Sequence, residues 1–132
     1  TPASSSYYGY DSLGRMVFMM DPVGNVNRYA YDSRSNPIRI AQAAGTGIRR
    51  MTYITWDSTF NLPDLVTEPG RTTDYDYDTY GRLTSMTVTD TATSATRITT
   101  YTYHSNTTDG SGNTVLGRLA QIDGPRTDVL RL

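Results

Sequence analysis

The chain has no cysteine and no lysine, one histidine and a single glutamate, Glu68, in 132 residues. Without cysteine there is neither a disulfide staple nor thiolate chemistry, a state compatible with any compartment. With His104 as the only histidine, a histidine-rich metal centre is excluded, and a Ser-His-Asp triad would need serines that no motif singles out. The lack of lysine and the near-lack of glutamate remove the best charged helix formers, whereas threonine and tyrosine, which suit a pleated surface, are abundant. All twelve cations are arginines and the net charge is −1, so no basic surplus draws nucleic acid or an anionic membrane. No stretch is long and apolar enough for a bilayer-spanning helix. The composition predicts an all-β fold, and the length is one domain's worth of chain, expected to bury roughly two thirds of its unfolded surface. The sequence opens at Thr1 with no initiator methionine and no signal-peptide pattern, as expected of a piece of something longer.

What is present is one unit, repeated. Its best copy is Tyr75-Asp76-Tyr77-Asp78-Thr79-Tyr80-Gly81-Arg82-Leu83. Tyr75 and Tyr77 alternate with acids at the period of a strand, Asp78 can bond its own backbone in an Asx-type turn, and Gly81 can adopt φ > 0. The unit therefore reads as strand, tight turn, strand. Tyr8-Gly9-Tyr10-Asp11-Ser12-Leu13-Gly14-Arg15 is the first copy, and Tyr29-Ala30-Tyr31-Asp32, running on to Ile38, is the second. The third is degraded, keeping Trp56-Asp57 but no turn glycine. The fifth begins Tyr101-Thr102-Tyr103, places His104 where aspartate is expected, and resumes at Gly117-Arg118-Leu119 after a polar insertion from Ser105 to Leu116 that reads as a loop.

The second aromatics, Tyr10, Tyr31, Trp56, Tyr77 and Tyr103, are spaced 21, 25, 21 and 26 residues apart. The intervals alternate, so the true period is a pair of copies, 46 or 47 residues long. Odd copies close on a short Pro/Gly turn (Asp21 to Asn25, Glu68 to Arg71, Asp123 to Arg126) and even ones on a longer one (Ala43 to Gly47, Asp90 to Thr96). Five repeats result, at 7–28, 29–52, 53–74, 75–100 and 101–132, in a single repeat domain of about ten or eleven strands. Neighbours joined by such short turns are expected to pair antiparallel, each unit packing mainly on its neighbours, in a strip that must curl. Along Arg71 to Asp78, Thr73, Tyr75 and Tyr77 share one face and Thr72, Asp74, Asp76 and Asp78 the other. Tyrosines of successive repeats are expected to stack into a ladder.

Sharper chemistry finds little support. Asp74, Asp76 and Asp78 stand about 7 Å apart along one face, too far to share one cation at about 2.4 Å, and read as a solvated face. His104 reads as a loop-edge replacement of the repeat aspartate. Asp109-Gly110-Ser111-Gly112-Asn113 lacks the twelfth ligand of a calcium loop and reads as a flexible loop. No catalytic residue, metal ligand or cofactor is assigned, and no enzyme is expected.

The Tyr-x-Tyr-Asp-x-x-Gly-Arg-Leu unit and the Asp-Pro-x-Gly-Asn turn resemble the YD repeats of the Rhs family, shared with teneurins and the encapsulating subunits of insecticidal toxin complexes. The resemblance covers Tyr7 to Arg126. It implies a β-strip that spirals into a hollow shell, often around a toxic C-terminal domain, in a secreted or cell-surface protein, bacterial by the resemblance. The repeats here are too few to close a shell, and no positions match the family's self-cleaving segment. The expected role is a structural segment of such a shell, partnered by the remaining repeats and a toxin cargo. The alternative is an adhesion module whose tyrosine rows bind glycans or a surface receptor. Unguarded terminal strand edges are also expected to associate with one another.

Overall fold

The computed structural model describes residues 5–47, 49–105, 111–112 and 117–125, together with the backbone of 129–131. The described elements are all strands: β1 (Tyr7–Tyr10), β2 (Met16–Met20), β3 (Val26–Tyr31), β4 (Pro37–Ala44), β5 (Arg50–Trp56), β6 (Pro63–Glu68), β7 (Arg71–Tyr77), β8 (Leu83–Asp90), β9 (Thr96–Tyr103), β10 (Leu119–Asp123) and β11 (Val129–Arg131). They fall into two compact units, Thr1–Arg71 and Thr72–Leu132. In the first, β1 to β6 pair antiparallel, each with the next. In the second, β8 to β11 do the same, and Asp76 of β7 is tied to Thr84 and Ser85 of β8. The all-β antiparallel hairpin array predicted from the repeat is what forms, because all the strand pairs but β9–β10 are joined by turns too short for a crossover, and there the His104 N–H to Arg118 carbonyl bond closes the hairpin across the insertion.

Within each unit a strand touches only its sequence neighbours, the signature of a quasi-one-dimensional repeat. The consequence for burial is large. Ala41 is the only described apolar residue that is buried, at 7% exposure, beside the polar Asn36 and Thr73. The accessible surface is 9118 Å², against roughly 21,000 Å² for an unfolded chain of this mass. Only about 57% of the unfolded surface is therefore removed from water, short of the two thirds expected of a globular domain. A strip of hairpins has no second layer to cover its faces.

One regularity had no signal in the spacing. Where the strands of a repeat meet beside its turn, the register slips by one residue: Gly9 faces Phe18 but Tyr10 faces Met16, Ala30 faces Arg39 but Tyr31 faces Pro37, and Thr55 faces Leu65 but Trp56 faces Pro63. Thr102 and Tyr103 do the same with Gln121 and Leu119. The extra residue, Val17, Ile38, Asp64 or Ala120, is a β-bulge in the returning strand at the same place each time. It leaves Tyr10, Tyr31, Trp56 and Tyr103 opposite the first residue of their return strands.

Candidate functional site

The chemistry of this molecule is concentrated at the turns beside those bulges. In the first copy Asp11 organises the turn: Leu13 and Arg15 donate backbone N–H groups to its Oδ1 (both 2.9 Å), and Arg15 Nε donates to Oδ2 at 2.7 Å. Its own N–H reaches the Arg15 carbonyl at 2.9 Å, and Gly14 N–H returns to the Asp11 carbonyl. Closing so tight a loop requires Gly14 at φ 77°. Asp78, Gly81 (φ 76°) and Arg82 repeat the arrangement, with Arg82 Nε donating to Asp78 Oδ2 at 2.6 Å.

The same clasp is built from other residues elsewhere. At Asp21 and Asp32 the fourth residue on is asparagine, and the amides of Asn25 and Asn36 donate to the carboxylates where arginine does in the first copy. Ser35 takes the glycine slot at φ 68°. The Asp57 and Asp90 turns are one residue longer, closing on Leu62 and Ala95, with Asn61 (φ 56°) and Ser94 (φ 59°) left-handed instead of glycine. In the fifth copy His104 N–H still donates to the Arg118 carbonyl at 2.9 Å, and Gly117 sits at φ 65°, so the insertion is spliced in without breaking the closing bond. Apart from Ser111 and Gly112, the Asp109 to Asn113 stretch lies outside the described residues, as does Arg126 of the last Pro/Gly turn.

The carboxyls of Asp11, Asp21, Asp32, Asp78 and Asp90 are acidified. The Arg15 backbone N–H, the largest influence, holds Asp11 below its ordinary value against the burial that opposes it. At Asp21 the Asn25 side-chain amide leads, and at Asp90 the Thr93 N–H. For Asp32 and Asp78 burial is the largest single influence and pushes upward, but the backbone and side-chain donors of Asn36 and Arg82 together outweigh it. Glu68 is lowered by the Arg71 guanidinium first and, after the opposing burial, by that of Arg50.

The clasps of the first, second and fourth copies also reach the following repeat. Tyr31 Oη donates to the Met16 carbonyl at 2.7 Å, Trp56 Nε1 to the Pro37 carbonyl at 2.9 Å, and Tyr103 Oη to the Leu83 carbonyl at 2.8 Å. The acceptor in every case is the first residue of the preceding repeat's return strand, and Met16 and Pro37 stand beside a bulge. In the opposite direction, Arg15 lies over the Tyr31 ring (4.9 Å) and donates to the Asp32 carbonyl, while Arg82 lies over the Tyr103 ring at 4.6 Å. Between the second and third copies the work is divided: Arg34 donates to the Asp57 and Ser58 carbonyls, and Asn36 and Asn61 exchange amide hydrogen bonds.

The ring-on-ring ladder expected from the tyrosine spacing is thus, at Tyr31 and Tyr103, a ladder of arginine on tyrosine. The planar guanidinium stacks on the ring while still forking to oxygen, which a second phenol cannot do. Tyr29, Tyr31, Trp56, Tyr75, Tyr77, Tyr101 and Tyr103 are half-buried, whereas Tyr8 and Tyr10 of the first copy are 54% and 61% exposed. Arg34, Asn36, Asn61 and the bulge carbonyls were not singled out in the sequence. The signal available for Asn36 was its place four residues after an aspartate, the slot Arg15 and Arg82 occupy. No three acidic, histidine or cysteine groups stand close enough to hold a metal ion among the described residues, and Asp76 is engaged instead with Ser85 Oγ at 2.6 Å.

No protein-family model and no curated protein matches the chain. Solved structures do. A chain of the Photorhabdus luminescens Tc holotoxin pore, in a structure carrying a mutated TccC3, aligns with 92% of this chain at TM-score 0.74 and 15% identity. A chain of the TcdB2–TccC3–Cdc42 complex aligns with 90% at the same TM-score and identity. The present chain spans 5% of the length of each. At that identity the likeness is one of fold. What this chain shares with them is an all-β fold of successive antiparallel hairpins.

Proposed function

We propose that the chain is a length of wall in the repeat shell of a secreted bacterial toxin protein, enclosing cargo without acting on it chemically. The observation that carries this reading is the joint between repeats: within each unit a clasp holds its own turn and the next repeat, so order passes from repeat to repeat with almost no buried core among the described residues. A wall made of identical joints can be extended without limit, which is what enclosure needs and what a compact catalytic domain does not provide. The likeness to chains of Tc toxin assemblies supports it at the level of fold. No helix among the described residues is long and apolar enough to cross a membrane.

The test is protease protection in the full-length parent protein. The segment following the repeats should resist digestion in the intact protein and become cleavable when Tyr31→Ala and Trp56→Ala open two joints. Equal digestion in the two proteins would remove the enclosure reading.

The adhesion reading rests on Tyr8, Tyr10 and the 77%-exposed Tyr80, which offer ring surface to a sugar, although Arg82 lies over one face of the Tyr80 ring at 5.1 Å. It gains nothing from Tyr31 and Tyr103, whose hydroxyls are committed to backbone carbonyls. Loss of glycan-array binding in Tyr80→Ala at unchanged stability would favour it. Edge pairing of β1 with a strand of a second copy belongs to the same proposal. Sedimentation over a wide concentration range would show it as mass rising with concentration.

A further inference from the structure

On the face of the first unit opposite Tyr29, a shallow groove of about 340 Å³ runs over β3, β4 and β5. Its floor is apolar, formed by Val26, Ala41, Ala44 and Met51. Its rim is cationic, formed by Arg28, Arg39 and Arg49. Register brings these together: Ala41 faces both Arg28 and Met51 across its two neighbours, and Arg39 faces Tyr53, itself 49% exposed. Arg28 is steadied over the Phe18 ring at 5.5 Å.

None of the three rim arginines makes an ion pair among the described residues, although Arg15, Arg34, Arg50, Arg71 and Arg82 all do. In a chain of net charge −1 this is a local cluster of three cations with no ion-paired acid among the described residues.

From this geometry we infer that the groove binds an extended acidic peptide segment in which carboxylates alternate with apolar side chains. Guanidinium forks match carboxylates in bidentate geometry. The apolar floor, with Tyr53 continuing it, takes the side chains between them. An inorganic anion or a sulfated glycan would satisfy the rim and leave the floor uncovered, and an uncharged apolar peptide would do the reverse. The inference is independent of the enclosure reading, since it concerns one face of the first unit and is tested on the chain itself.

The experiment is fluorescence anisotropy with the 132-residue chain and a labelled hexapeptide alternating Glu with Leu. The expected result is saturable binding that weakens at least tenfold for the Gln/Leu and Glu/Ser hexapeptides, and that falls as salt is raised. The triple variant Arg28→Gln, Arg39→Gln, Arg49→Gln should lose at least tenfold in affinity. Arg49→Gln alone should show part of that loss, which keeps the test decisive if the triple variant unfolds. Arg97→Gln, an exposed cation of the second unit, should bind as the parent does. Equal binding of the Glu/Ser peptide or of a sulfated oligosaccharide would overturn the assignment in favour of a general anion site. Unchanged affinity in a folded triple variant, or in Arg49→Gln, would overturn it outright.

Discussion

Two joints in the first unit perform one task with different chemistry. Between the first and second repeats the link is charged and aromatic: Arg15 is bound to Asp11, stacked on Tyr31 and donating to the Asp32 carbonyl, while Tyr31 donates back to Met16. Between the second and third, the residue four after the aspartate is Asn36, which pairs with Asn61, and an indole replaces the phenol. The comparison shows what the joint requires. It needs a donor aimed at the bulge carbonyl, which tyrosine and tryptophan both supply and phenylalanine does not. It also needs a donor on the aspartate's outer oxygen, which arginine and asparagine both supply. Residue identity can drift as long as the hydrogen-bond inventory is kept.

Acid is expected to have the largest effect because it breaks both joints together. Asp11, Asp21, Asp32, Asp78 and Asp90 have folded pKa values below their ordinary value of 3.8, and Glu68 below 4.5. The unfolded state therefore binds protons first as pH falls, and the contribution is full above about pH 4.5 and lost as pH drops through and below 3.8. Melting temperature should be flat from pH 7 to 5 and fall steeply below 4. A flat profile down to pH 3 would show that the clasps contribute no stability.

The remaining tests separate the joints. Trp56→Ala removes both the ring and its donor and should cost about 2–4 kcal/mol, toward the lower end of aromatic truncations because the ring is half-buried. Chemical denaturation measures it, and a loss under 1 kcal/mol would mean that the second joint does not hold the strip. Asn36→Ala should cost about 1–3 kcal/mol, since it removes a buried amide that donates to Asp32 Oδ2 and Asn61 Oδ1 and accepts from Asn61 Nδ2. Restoring the first joint's residue with Asn36→Arg should recover part of that loss if the two solutions are equivalent.

A Cβ added at Gly14 meets no atom within 4 Å, so the cost of Gly14→Val, about 1–2 kcal/mol, comes chiefly from the left-handed backbone. Gly14→Asn should recover most of it, as Asn61 holds the left-handed conformation in the third turn. Wild-type stability in Gly14→Val would show that the turn tolerates another conformation. Tyr31→Phe is expected to be the mildest, about 0.5–1.5 kcal/mol for one hydrogen bond, with the stacked arginine retained. A larger loss in a thermal melt would place more of the joint in the hydroxyl than the geometry assigns.

Local chemistry was legible in the residues because it acts over a few positions. Asp78 with Gly81 and Arg82 announces a closed turn, since an Asx acceptor, a left-handed position and a returning strand all lie within five residues. Period-2 alternation likewise separated Thr73, Tyr75 and Tyr77 from Asp74 and Asp76, and the observed burial follows that division. Short turns made sequential antiparallel pairing the only economical topology. What crosses between repeats was not legible. The bulges at Val17, Ile38, Asp64 and Ala120 depend on how two strands settle against each other, and no residue type marks them. That Arg15 stacks on Tyr31 some sixteen residues away, or that Asn36 finds Asn61, follows from the register those bulges impose. The sequence carries the donors; only packed strands decide which acceptors they meet, because a one-residue slip in register redirects every side chain to the other face.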